Sequence, residues 1–160
     1  VSGLLSLAVL LLGVAWLVWW LLDRGSAAAP WLVAAILLAH GWVHLVYLVP
    51  SAPVRTAEEA ASNPFDLDRS WLVARGADAR VVRRAGVVLA SVTFLTLTLG
   101  ALAVLGWVVP PGWWAGLTFV GVAASTLLLV LSLASDLVLG FVINAGLVAL
   151  AVQTTWQVPR

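Results

Sequence analysis

The chain contains no cysteine and no methionine, and all eight of its basic residues are arginines. Without cysteine there are no disulfides, thiolate zinc sites, iron–sulfur clusters or thiol redox reactions, and nothing is learned about compartment. Charge is scarce as well: charged residues make up 9% of 160, against roughly 25% in a soluble domain. The formal net charge is +1 and no basic run exceeds Arg83-Arg84, so there is no electrostatic footprint for nucleic acid. Absent Lys and Met beside abundant Ala, Val, Leu and Arg point to a GC-rich bacterial genome.

What is present is apolar. Hydrophobic residues account for 63% of the chain and the mean hydropathy is +1.10, which excludes an ordinary soluble domain and predicts an all-α, polytopic transmembrane helical bundle. A bilayer core of about 30 Å needs roughly 20 apolar residues at 1.5 Å per residue. The first such run, about 4–22, closes at Asp23-Arg24-Gly25. It reads as a retained span and not a signal peptide, since no positive n-region precedes it and h-regions normally run about 7 to 15 residues. The second, about 31–49, follows Pro30 and ends at Pro50, which cannot continue a helix.

The only long polar stretch follows. In loop 51–78, Thr56 and Glu59 make a capping-box pattern and Asn63-Pro64 breaks any short helix. Phe65, Leu67, Trp71, Leu72 and Val73 stand among charges there, which predicts that part of the loop lies on the membrane surface or packs under the bundle. Asp78 reads as the N-cap of a third span, about 79–109. After Pro110-Pro111-Gly112 the chain stays apolar from Trp113 to Trp156, about 65 Å as one straight helix and twice what a bilayer needs. A reversal at Ala134-Ser135-Asp136 gives spans of about 113–133 and 137–156, hence five spans, or four if the last two segments are one irregular helix.

Arg55, Arg69, Arg75, Arg80, Arg83 and Arg84 lie in or beside loop 51–78, which the positive-inside rule places in the cytoplasm together with the N-terminus. The expected location is a bacterial cytoplasmic membrane. With five spans, Trp16, Trp19, Trp20, Trp31, Trp107, Trp113, Trp114 and Trp156 all fall toward the outer interface.

The only histidines, His40 and His44, are four residues apart on one helical face, about 6 Å from each other, with Tyr47 extending the stripe. Ionisable groups inside a membrane usually face the bundle interior, which makes this the candidate polar site. Helix rise places Asn144 at a depth similar to His44, with Thr93, Thr96 and Ser125 able to join the layer, and Asp136, Gly140 and Asn144 share a face at four-residue spacing. One reading is packing: neutral imidazoles hydrogen-bonded to neighbouring helices, with Gly41 admitting a partner backbone. A second is metal or haem binding on His40 and His44. It would need ligands from Tyr47, Asn144, Asp136 or water, and has no acid between the histidines to serve as a general base. Two histidines one turn apart also cannot ligate opposite sides of one haem iron. A third reading is a proton, quinone or substrate pathway.

Gly112, Gly116, Gly121, Ser125 and Gly140 are small residues of the kind used for close helix packing. Arg80, Arg83 and Arg84, at the inner end of the third span, suit anionic lipid phosphates or simply anchor the topology.

His40-Gly41-Trp42-Val43-His44-Leu45, followed by Leu48-Val49-Pro50, and the later Leu67-Asp68-Arg69-Ser70-Trp71-Leu72, resemble small actinobacterial-type multi-pass membrane proteins that carry a His-Gly-x-x-His-Leu helix. The resemblance implies the membrane bundle and no activity. The function that follows is a non-enzymatic accessory, scaffolding or lipid-interacting membrane subunit, whose partners are the lipid bilayer and other membrane subunits or its own copies, with no cofactor firmly implied. The alternatives are a metal- or haem-binding membrane redox protein built on His40 and His44, and a small proton-coupled transporter.

Overall fold

The computed structural model describes Trp16, Trp20 and residues 23–49, 65–132 and 138–153, with Arg69 and Gln153 described by backbone alone. Among these residues all regular structure is helical. The helices are α1 (Ala29–Val43), α2 (Trp71–Ala74), α3 (Ala79–Val104), α4 (Trp114–Ser132) and α5 (Val138–Gln153), with 3₁₀ turns at His44–Leu48, Leu67–Arg69 and Pro111–Trp113. Three helical stretches, Ala29–Leu48, Ala79–Val104 and Pro111–Ser132, have 20, 26 and 22 residues and are apolar enough to cross a membrane. The fourth long helix, α5, has 16 residues. The expected first span falls outside the described residues, except that Trp16 stacks on Trp20, which in turn carries the Arg24 guanidinium 4.3 Å from its ring centre.

The helix ends have local causes. Pro30 sits in the first turn of α1, where its missing N–H costs nothing. Asp78 caps α3, its carboxylate accepting from the Arg80 N–H at 2.7 Å. The α3 helix stops at Val104, five residues before the expected Val109, because Gly106 takes φ +69°. There the Trp107 N–H donates to the Leu102 carbonyl and the Gly106 N–H to the Ala103 carbonyl, a Schellman ending that uses orphan carbonyls. The α1 helix is likewise shorter than expected: it tightens into 3₁₀ from His44, and Val49 becomes extended, as the residue before a proline is biased to do. The Ala134-Ser135-Asp136 reversal lies outside the described residues.

Packing is centred on α3, which lies against both α1 and α4, while α5 packs on α4. Leu37, Leu97 and Leu128 are fully buried. A Cβ at Gly41 would come 3.2 Å from the Leu97 Cβ and 3.5 Å from the Phe94 carbonyl oxygen, so the glycine does admit the neighbouring backbone. Gly121 and Gly140 are similarly closed, by Leu97 and Thr96 and by Leu129, whereas Gly112 and Gly116 face open space.

Residues 65–78 pack under the bundle. Leu67 is buried in the space over Gly86, and Phe65 meets Tyr47 edge-on at 5.3 Å. Ser70 caps α2 through the Leu72 N–H and donates its own hydroxyl to the Leu131 carbonyl at 2.6 Å. The Trp71 Nε1–H donates to the Val130 carbonyl at 2.8 Å. Two carbonyls of the last described turn of α4 thereby accept from side chains of the loop. At the opposite end of α3, Trp107 packs edge-on against Trp31, with Trp113 exposed close by in sequence at the start of α4.

Candidate functional site

The tightening of α1 creates the site. His44 gives its backbone N–H to the Gly41 carbonyl, so the His40 carbonyl loses its usual i+4 partner. The His44 side chain takes that carbonyl instead, Nδ1 to oxygen at 2.8 Å. A carbonyl only accepts, so Nδ1 of His44 carries the proton and, in the neutral ring, Nε2 is an acceptor. Ser125 of α4 therefore donates its hydroxyl to His44 Nε2 at 2.9 Å. Asn144 of α5 donates Nδ2–H to Ser125 Oγ and to Thr126 Oγ1, each at 3.0 Å. The Oδ1 of Asn144 accepts from His40 Nε2 at 2.8 Å, which fixes His40 as the Nε2–H tautomer.

The result is a loop of hydrogen bonds running one way, from His40 through Asn144, Ser125 and His44 back to the His40 backbone. Three helices, α1, α4 and α5, meet in it, and all four side chains are buried, Ser125 with 0% of its surface exposed. The two imidazoles stand edge to face with ring centres 5.0 Å apart. Each bond polarises the next in a low-dielectric interior, and a fully satisfied network of this kind rigidifies the packing around it.

No family model matches this chain. No curated protein and no solved structure matches it either.

His40, His44, Asn144 and Ser125 are thus brought together as the helical spacing predicts, with one difference in register. Asn144 meets His40 and not His44, because the 3₁₀ turn swings His44 back toward its own helix. Tyr47 lies beside the ring, stacked 6.2 Å from His44, but its hydroxyl pairs with Ser132 at 3.3 Å and so belongs to a second contact with α4. Ser132 already donates to the Leu128 carbonyl, so Tyr47 supplies the proton to Ser132 Oγ. Thr93 and Thr96 do not join; their hydroxyls bond back to the Leu89 and Val92 carbonyls of α3. Asp136 lies outside the described residues. Thr126 and Ser132 were not expected. Ser132 stands seven residues after Ser125, on the same face of α4, which is the signal that would have found it.

For a metal the donor set is poor. Both Nε2 atoms are committed to protein partners, and among the described residues no cluster of three His, Asp, Glu or Cys side chains exists. Of the basic face, Arg83 pairs with Asp68 at 3.3 Å beside a small open cleft that Tyr47, Phe65 and Leu67 also line. Both partners are about half exposed, so this ion pair contributes only about 0–1 kcal/mol.

Proposed function

We propose that the chain is a non-enzymatic integral membrane protein, an accessory or scaffolding subunit of a bacterial cytoplasmic membrane, and that its buried histidines hold helices together instead of performing chemistry. The observation that carries this reading is the one-way loop of hydrogen bonds among His40, Asn144, Ser125 and His44. Acid–base catalysis needs a group within reach of a substrate and free to exchange its proton. Here each of the four side chains is engaged with the next. A proton relay is also disfavoured, since the amide of Asn144 does not pass protons on and the loop ends on a backbone carbonyl. The metal- or haem-binding alternative would have to break the Nε2 bonds of both histidines.

The topology that goes with this reading has five spans, with the N-terminus in the cytoplasm. Its orientation is supported by Arg80, Arg83 and Arg84 at the end of α3 opposite to Trp107 and Trp31. Partners are then the lipid bilayer and other membrane subunits or further copies of the chain.

The test is purification in mild detergent with elemental analysis and a visible spectrum, for wild type, His40→Ala and His44→Ala. The reading expects no stoichiometric metal or haem and a lowered unfolding midpoint in both variants. A bound cofactor lost on mutation, or substrate uptake in proteoliposomes abolished by His44→Ala, would replace it with a redox or transport function.

A further inference from the structure

We propose that the face of α3 bearing Arg80 and Arg84 binds the phosphodiester headgroup of an anionic phospholipid, with an acyl chain lying along Val88, Leu95 and Leu99. Three arginines crowd the first turns of α3, and the structure separates them. Arg83 is turned to Asp68, 3.3 Å away. Among the described residues Arg80 and Arg84 make no ion pair, and both are exposed. The nearest acid in sequence, Asp78, spends its carboxylate on the Arg80 backbone N–H.

At about 100° per residue, Arg80, Val81, Arg84, Val88, Leu95 and Leu99 fall within one arc of about 100°, and Arg83 lies outside it. Val81, Val88 and Leu95 on this arc are 62%, 60% and 55% exposed, so the described helices leave the stripe uncovered and an acyl chain can lie against it. The two arginines above the stripe are one turn apart, about 6 Å, close enough for both positive charges to act on one phosphate. A zwitterionic headgroup brings its own cation to the same place, which is why the charge favours an anionic lipid. The assignment does not depend on the histidine ring.

The experiment is lipid-dependent thermal unfolding of the detergent-purified full chain, titrated with phosphatidylglycerol, with phosphatidylcholine, or with inorganic phosphate at matched ionic strength. Phosphatidylglycerol is expected to raise the midpoint of wild type and of Arg83→Gln alike. The Arg80→Gln/Arg84→Gln double variant should need about thirtyfold more lipid, following about 1 kcal/mol per basic residue. Arg80→Lys/Arg84→Lys should recover most of the response, separating loss of charge from loss of fold. An undiminished response in the Gln double variant, a failure of the Lys pair to recover it, or an equal response to phosphatidylcholine would overturn the proposal. An equal response to inorganic phosphate would assign the arginines to a free anion and overturn it too.

Discussion

His44 donates its Nδ1–H to the backbone carbonyl of His40 at 2.8 Å, making with its side chain the contact its own N–H gives up when the helix tightens. The same ring accepts from Ser125 on its other nitrogen. Removing it therefore leaves two polar groups without partners in an apolar interior. His44→Ala is expected to lower stability by about 1–2 kcal/mol, the upper range for buried hydrogen bonds between membrane helices. In a double-mutant cycle with Ser125→Ala the double variant should lose less than the sum of the singles, because the His44–Ser125 hydrogen bond is already lost in either one. Detergent unfolding curves measure both; strict additivity would mean that the pair is not coupled.

Gly41 marks the closest approach of α1 to α3. A methyl group there meets the Leu97 Cβ at 3.2 Å, so Gly41→Ala should cost about 1 kcal/mol and Gly41→Val about 2–3 kcal/mol by overpacking. Leu97→Ala keeps the Cβ that the added methyl meets, so Gly41→Ala should cost about as much in that background as in the wild type. Comparison of unfolding midpoints across the four chains decides this.

The last turn of α4 depends on the loop beneath it. Ser70→Ala leaves the Leu131 carbonyl without the hydroxyl it receives and removes the cap of α2, a loss of about 1–2 kcal/mol. Because the loop is joined to the bundle locally, faster amide exchange in residues 70–77 is expected before any global unfolding. Unchanged exchange in Ser70→Ala would show that the docking rests on Leu67, Phe65 and the Trp71–Val130 hydrogen bond.

Val108 is strained. A β-branched residue at φ +58° is a backbone outlier, and the Val109 N–H turns back to the Trp107 carbonyl across it in a tight three-residue turn. The side chain is 94% exposed and contributes little packing to offset that strain. Val108→Gly should therefore raise stability by about 1 kcal/mol, read as a higher unfolding midpoint. A lower midpoint would mean that the valine gains more from the surrounding lipid or detergent than the turn loses in strain.

The helical bundle was legible from hydropathy alone, because apolar runs of 20 residues have few other ways to satisfy their backbone. The polar site was partly legible. Four-residue spacing placed His40 and His44 on one face, and helix rise brought Asn144 and Ser125 to their level. Which histidine meets which partner was not, since that depends on the change from α to 3₁₀ at His44, a tertiary adjustment that no local pattern announces. The early end of α3 at Gly106 was not legible, because Gly86 and Gly100 stand in the same run and remain helical. Trp71 was visible as an apolar residue among charges, but its partner, the Val130 carbonyl, and that of Ser70, the Leu131 carbonyl, are backbone groups and leave no mark in a sequence.

The central claim is that the two histidines are fixed in a hydrogen-bond loop with one direction. Nitrogen-15 chemical shifts of the imidazoles in selectively labelled protein report the tautomers directly. The account predicts two different ones, Nε2–H for His40 and Nδ1–H for His44, each static at neutral pH. Identical tautomers, a rapidly averaging mixture or a protonated ring would contradict it and return the histidines to the list of groups that move protons.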